Sequence, residues 1–134
     1  MTPGRIVEFA EELGRIAAGG GGVAALTAHL AQAAQATVLV EDAQWHNLAA
    51  AGAASAPATA RDLFDAANLE NRMPRRHRNG RPGLSISLLA GQTLLGWLSI
   101  FASADADIDA FARLGASAIA LELIRDRSPG TTRR

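Results

Sequence analysis

The chain has 134 residues, of which 49% are hydrophobic, and its thirteen Arg balance thirteen Asp plus Glu in the absence of any Lys. This length fits a single domain with one core, and the zero net charge argues against a protein that binds nucleic acid through its whole surface. The absence of Cys excludes disulfides, thiolate metal sites and a thiol nucleophile.

The first segment has the pattern of an amphipathic helix. Thr2 is a suitable N-cap, and Pro3 suits the first helical position. The apolar residues then recur at spacings of three and four: Ile6, Phe9, Leu13 and Ile16. About two heptads are too short to be stable alone, so this seam must dock either on its own domain or on the same helix of a second subunit.

A second helix is predicted over residues 23–34, after the glycine run 19–22. This run does not indicate a phosphate loop, because no strand precedes it and no Gly-Lys-Ser/Thr follows. His29 lies near the apolar side of this helix, and we interpret it as a packed or surface residue rather than a ligand.

A β-hairpin is predicted next. The apolar, β-branched run 37–40 indicates a buried strand, residues 41–44 a turn, and residues 47–51 a return strand that ends at Gly52. Three residues at the turn either contribute to a site or lie in an exposed loop: Asp42, Trp45 and His46.

The middle of the chain combines a loop at 53–59 with a short helix predicted over 61–70, which would turn Leu63, Phe64 and Ala67 inward. Residues 72–83 then bring five Arg and His77 between Pro and Gly, which predicts an irregular, mobile and basic loop. This loop is either simply solvated or an electropositive lip for an anionic ligand or partner, because guanidinium groups bind phosphate and carboxylate.

A second hairpin is predicted over residues 84–102. Residues 84–89 alternate Leu or Ile with Ser, residues 90–92 form the turn, and residues 93–102 are the longest apolar strand. Gly96 within that strand predicts a bulge or a close approach of another backbone. Together the two hairpins predict a mainly antiparallel sheet.

The last helix is predicted over residues 107–127, with Ser103 as a cap and Asp105, Asp107 and Asp109 around its positive end. Ile119 and Leu123 widen its apolar surface beyond one side. Such a helix has two neighbours: one is the sheet, and the other is the first helix or a partner subunit. Residues 128–134 read as a disordered tail or linker.

The order helix, helix, hairpin, irregular segment, hairpin and long helix resembles that of GAF/PAS-like sensor domains. Several stretches resemble the N-terminal GAF-like domain of PucR/CdaR-type bacterial transcriptional regulators: residues 13–20, 30–42, 48–52, 91–98 (Gly-Gln-Thr-Leu-Leu-Gly-Trp-Leu) and 118–127. The resemblance implies an α+β domain over residues 1–127, with a GAF/PAS-like antiparallel sheet of four to six strands and N- and C-terminal helices packed on one face.

The same resemblance implies a domain that senses a signal, dimerises through its terminal helices and passes the signal to a DNA-binding helix-turn-helix. No helix-turn-helix follows residue 127, so we expect an excised or standalone sensor domain that does not itself bind nucleic acid. We expect a homodimer with these interface residues: Ile6, Phe9, Leu13, Ile16, Ile119 and Leu123.

If a small-molecule effector binds, we expect it between the sheet and residues 55–83. Leu84 and Ile86 would add to an apolar floor there. The candidate ligand-binding residues are Phe64, Arg75, Arg76, His77, Ser85, Ser87 and Trp97. Because alternate residues of a strand face opposite sides, Ile86 and Ser87 cannot line the same pocket. Alternatively, side chains fill this space and the domain serves only dimerisation and signal relay.

Catalysis is not expected. The three histidines are scattered, no serine lies in a strained strand-to-helix turn, and no metal-ligand spacing is present, so we predict neither an enzyme nor a cofactor nor a metal site. No signal peptide and no membrane-spanning apolar run is visible, which favours a cytoplasmic protein without membrane contact. The alternative function is a ligand-free structural dimerisation scaffold of the roadblock-like kind.

Overall fold

The computed structural model describes residues 3–52, 57–64, 74–78, 82–102 and 106–127. The N-cap predicted at Thr2, the cap at 103–105 and the tail 128–134 lie outside these residues. The elements in chain order are α1 (Pro3–Ala18), α2 (Gly22–Ala34), β1 (Thr37–Asp42), β2 (Asn47–Ala51), β3 (Arg75–Arg76), β4 (Leu84–Ala90), β5 (Thr93–Phe101) and α3 (Ala106–Arg127).

The five strands form one antiparallel sheet in the order β2-β1-β5-β4-β3. β5, the longest strand, lies at the centre and joins the two predicted hairpins. The pairing of β5 with β4 shifts register beside Gly96. A Cβ at Gly96 would lie 2.1 Å from the carbonyl oxygen of Glu41, so the predicted close approach is confirmed.

All three helices lie on one side of the sheet, which we call the helix face. α2 and α3 pack directly on the strands, whereas α1 packs on α2 and α3. The predicted α+β architecture is therefore confirmed, and it is consistent with a GAF/PAS-like fold. Among the described residues, no helix combines the length and apolar character needed to cross a membrane.

The main core lies between the sheet and the helices. Phe9 of α1 stacks on His29 of α2, with ring centroids 5.2 Å apart, and packs against Phe111 of α3 at 4.6 Å. Phe9, Leu13 and Ile119 are at most 4% exposed. These three predicted interface residues therefore belong to the interior of the protomer, and only Ile6, Ile16 and Leu123 of the predicted set keep part of their surface.

Two predictions for the middle of the chain are wrong where residues are described. Residues 61–64 form a turn rather than a helix, with the Leu63 N–H donating to the Ala60 carbonyl at 3.0 Å. The basic segment is not wholly irregular, because β3 pairs with β4 and His77 is buried. Edge pairing satisfies backbone groups that a free loop would leave to water. Residues 65–70, 72–73 and 79–81 lie outside the described residues.

Candidate functional site

The face of the sheet opposite the helices, here called the second face, carries a mixed aromatic and polar surface. Residues 57–64 cover it, and residues 74–78, which include the edge strand β3, border it; both stretches are here called the covering segments. They are tied together because the Arg78 N–H donates to the Leu63 carbonyl at 2.7 Å. Alternation along the strands sends these side chains to the second face: Leu39, Glu41, Ser85, Ser87, Trp97, Ser99 and Phe101.

Three rings form an aromatic cluster on this face: Trp45, Phe64 and Trp97. Trp97 and Phe64 are 2% exposed and meet edge to face at 4.9 Å. Trp45 is half-buried and stacks on Trp97, with centroids 5.8 Å apart. The cluster therefore joins the central strand, the first hairpin and a covering segment.

The hairpin turn that carries Trp45 is fixed by Asp42. The Asp42 carboxylate accepts the backbone N–H groups of Gln44 and His46, at 2.8 and 2.9 Å. Burial raises the pKa of Asp42, but the hydrogen bonds from His46 and Gln44 outweigh it and leave the pKa below its usual value. Trp45 itself has a φ of 68°, a left-handed conformation that the turn imposes. The indole is thus held over Trp97 by a structured turn.

A buried hydrogen-bonded chain beside the aromatic cluster links the residue that follows β3 to strands β4 and β5. His77 Nε2 lies 2.9 Å from Ser85 Oγ, which lies 2.6 Å from Ser99 Oγ. Both serines are fully buried and His77 is 6% exposed. A serine paired with histidine is the signature of a nucleophile, but these hydroxyls have no access to solvent. We interpret the chain as a tie between the second covering segment and the sheet.

Glu41 and Ser87 each carry a buried polar atom on this face that has no hydrogen-bond partner among the described residues. Glu41 is 1% exposed; its Oε1 accepts the Ala60 N–H at 2.9 Å, whereas its Oε2 is unpaired. The Ser87 hydroxyl is unpaired as well. Glu41 and Ser87 occupy register positions on either side of Trp97, in one row across β1, β5 and β4. Unpaired buried polar atoms are costly, so this row is not explained by apolar packing alone.

An open cleft of about 340 Å³ adjoins this row. Leu39 lines it two residues before Glu41 on the same side of β1, and Asn47, the β2 residue opposite Glu41, lines it as well. Pro57 and Ala58 of the first covering segment form its outer wall. The cleft therefore reaches strand neighbours of Glu41 at the β2 edge of the sheet, whereas Glu41 itself and the rings of the aromatic cluster do not line it.

The structure brings most of the predicted ligand-binding residues together on one face of the sheet. Phe64, His77, Ser85, Ser87 and Trp97 all belong to the second face. Leu84 and Ile86, predicted as part of the same floor, belong instead to the main core on the helix face, because β4 alternates.

The two predicted arginines lie at the β3 edge and do not reach the aromatic cluster by any described contact. Arg76 is directed to the helix side, where its Nη2 lies 3.2 Å from Asp109 of α3. Arg75 stands opposite Ser85 in the register of β3 and β4. The predicted electropositive lip over the second face is therefore not formed by Arg76.

Glu41 and Ser99 were not predicted as site residues, and Trp45 was predicted only as a turn residue that either contributes to a site or lies in an exposed loop. Glu41 was interpreted as a turn residue, but β1 continues through Asp42. The signal that identifies Glu41 is the alternation of Thr37, Leu39 and Glu41, which places the carboxylate on the same side as an apolar neighbour. Its position opposite Trp97 depends on long-range strand pairing, which no local pattern reveals.

A second candidate surface is the groove between α1 and α3, here called the terminal-helix groove. It has a volume of about 540 Å³ and a floor of small residues that includes Ala10, Gly14 and Ala17. Leu121 and Ile124 line it and are 61% and 40% exposed. Exposed aliphatic side chains beside an apolar groove are typical of an interaction surface.

Comparison with known protein families finds none that matches the chain, and a search of curated proteins finds no match. The site therefore has to be interpreted from its own chemistry. Among the described residues, no group of three His, Asp or Glu side chains is placed to hold a metal ion. The second face offers instead a buried carboxylate, several hydroxyls and a set of aromatic rings, which is a composition suited to binding a small molecule.

Proposed function

We propose that the chain is a GAF-like sensor domain of a PucR/CdaR-type transcriptional regulator, acting in the cytoplasm, that binds a small effector on the second face of the sheet. The observation that carries this proposal is the row in which Trp97 stands between the unpaired Oε2 of Glu41 and the unpaired hydroxyl of Ser87. A ligand that pairs with either atom would relieve the cost of burying it. Binding, rather than catalysis, fits a face whose serines are enclosed.

The proposal includes a homodimer formed through α1 and α3. Leu121 and Ile124 project from α3 beside the terminal-helix groove, so one surface presents both apolar side chains and a recess for them. A surface of this kind can pair with its own copy across a two-fold axis. The residues proposed for the interface are therefore Leu121, Ile124 and the partly exposed Ile6, Ile16 and Leu123, and not the buried Phe9, Leu13 and Ile119.

The test of effector binding is a thermal-shift screen against purines, nucleotides, small carboxylates and small amines. At least one class is expected to raise the melting temperature, because a ligand that binds only the folded state stabilises it. The same compound should lose its effect in Trp45→Ala, which removes one wall of the aromatic cluster. Absence of any stabilising compound, together with unchanged tryptophan fluorescence, would overturn the sensor proposal.

The ligand-free roadblock-like scaffold is the second candidate. It is favoured by the close packing of Phe64, Trp97 and Leu39, because these three side chains are buried against one another and leave little of their surface for a ligand. A scaffold predicts dimerisation without any stabilising compound, and dimers joined through sheets rather than through α1 and α3. The oligomer variants described in the Discussion separate these two modes of association.

A further inference from the structure

We propose that the effector site accepts a small organic cation, whose ammonium group pairs with Glu41 and contacts the aromatic cluster. This inference rests on the proposed sensor function and specifies the chemical class of its ligand. The cleft lined by Leu39, Asn47 and Pro57 adjoins the site on the β2 side.

The carboxylate of Glu41 is buried without a counter-charge among the described residues. Glu41 is 1% exposed, and its single hydrogen bond, from the Ala60 N–H, fixes Oε1 and leaves Oε2 without a partner. No described Arg or His forms an ion pair with Glu41. Among the strands, the nearest described Arg is Arg75 on β3, three strands from β1 and roughly 14 Å away at the usual strand spacing. Arg61 directly follows Ala60 in the chain, but its side chain is exposed. A buried carboxylate without a counter-charge is unfavourable, and a cationic ligand would supply that charge.

The aromatic cluster lies beside that carboxylate. Trp97 stands directly opposite Glu41 in the pairing of β1 and β5. Trp45 stacks on Trp97, and Phe64 meets both indoles edge-on, at 4.9 and 6.0 Å. Indole faces attract cations more strongly than other aromatic faces, most of all where water is excluded. A carboxylate next to several aromatic rings is the combination by which proteins bind ammonium groups.

The predicted arginines, which would favour an anionic ligand, are not directly opposite Trp97 in the sheet. Arg76 is directed away from the second face and binds Asp109 on the helix side. Arg75 stands opposite Ser85 on β4 and is two strands from Trp97, whereas the Glu41 carboxylate stands directly opposite Trp97 in the strand register. An anionic ligand would meet that carboxylate within the cluster, and like charges in a desolvated site repel strongly.

The experiment uses tryptophan fluorescence, because both tryptophans of the chain, Trp45 and Trp97, belong to the aromatic cluster. Choline, tetramethylammonium and 1,4-diaminobutane are titrated into the full chain, and the neutral isostere 3,3-dimethylbutan-1-ol and acetate are titrated in parallel. A saturable change is expected with at least one cation. The isostere and acetate are expected to bind at least about tenfold more weakly.

Glu41→Gln is the decisive variant. The amide keeps an oxygen for the Ala60 N–H but removes the charge, so cation binding is expected to weaken at least about tenfold while the circular dichroism spectrum is retained. Glu11→Gln, on the exposed side of α1, is the matched control and should bind as the wild type does. Should Glu41→Gln fail to fold, the preference for choline over its neutral isostere in the wild type still decides the question.

The outcomes separate the two proposals. Saturable binding of a neutral or anionic compound that Glu41→Gln leaves unchanged would overturn the cation inference and leave the sensor function standing. No response to any of the three cations would also overturn the inference. Cation binding that is lost in Glu41→Gln and retained in Glu11→Gln would support both.

Discussion

Trp45 and Trp97 lie almost parallel, with ring planes 4° apart, although one belongs to a hairpin turn and the other to the central strand. The stack brings the turn between β1 and β2 over the middle of the second face. Because Phe64 contacts both rings, the first covering segment is held by the same group. This small cluster is the second apolar centre of the domain, and the sheet separates it from the main core.

The two tryptophans should contribute unequally to stability. Trp97 is 2% exposed, so Trp97→Ala is expected to lower the free energy of unfolding by about 3–5 kcal/mol. Trp45→Ala should cost clearly less, because Trp45 is only half-buried. Urea unfolding followed by far-UV circular dichroism measures both losses. Equal losses would show that the turn, and not the central strand, anchors the cluster.

The serines of β4 provide a matched pair on the same face of one strand. Ser85→Ala should lower the free energy of unfolding by about 1–3 kcal/mol, because it removes the hydrogen bonds to His77 Nε2 and Ser99 Oγ. Ser87→Ala breaks no described hydrogen bond, so it should change stability by less than about 0.5 kcal/mol or increase it. The same urea titrations test this difference. A larger loss for Ser87→Ala would contradict the assignment of the tie to Ser85.

His29 should make the protein less stable in mild acid. Burial against Phe9 lowers the pKa of His29 below its ordinary value of 6.5, so the unfolded chain binds a proton at a higher pH than the folded chain does. The contribution of neutral His29 to the free energy of unfolding is therefore fully present above pH 6.5. It is lost as the pH falls through 6.5 towards the lowered pKa.

The measurement is the urea midpoint between about pH 8 and pH 5, compared for the wild type, His29→Leu and the exposed control His46→Gln. His29→Leu should flatten the acid side of the curve, because leucine has no proton to gain. His46→Gln should leave the His29 component in place. Parallel curves for the wild type and His29→Leu would contradict the role assigned to His29.

We expect the dimer interface to lie at the terminal-helix groove. Leu121→Asp together with Ile124→Asp should convert a dimer into a monomer without unfolding it, because both side chains are exposed in the protomer. Leu48→Asp is the matched control, since Leu48 is 41% exposed on the edge strand β2. Size-exclusion chromatography with light scattering gives the mass of each variant. A wild-type monomer at high concentration, or dissociation by Leu48→Asp instead, would contradict an interface through α1 and α3.

The fold could be predicted from the sequence to a large extent, but the site only in part. The period of the apolar residues located α1, α2 and α3, and alternation located both hairpins to within a few residues. What failed depended on pairing between distant segments. Arg76 was expected near a ligand, but its neighbour Asp109 is 33 residues away and lies on the other side of the sheet.

The core residues show the same limit. The apolar seam of α1 predicted a packing surface correctly, but the pattern alone could not distinguish a protomer core from a subunit interface. Phe9 and Leu13 became core residues because α3 covers them. Glu41 was missed for a related reason: a polar residue at the end of a short apolar run is typical of a turn, and its burial results from Ala60 and Trp97, which lie far along the chain.

The central position of β5 has a mechanical consequence for the domain. Trp97 and Leu98 are consecutive residues, and they enter the two separate hydrophobic layers. A displacement of this single strand by even a fraction of an ångström would change the packing of the tryptophan stack on one side and of the helices on the other. In the proposed sensor, a ligand on the second face would therefore act on the helices through the thickness of the sheet, without any rearrangement of the chain around its rim.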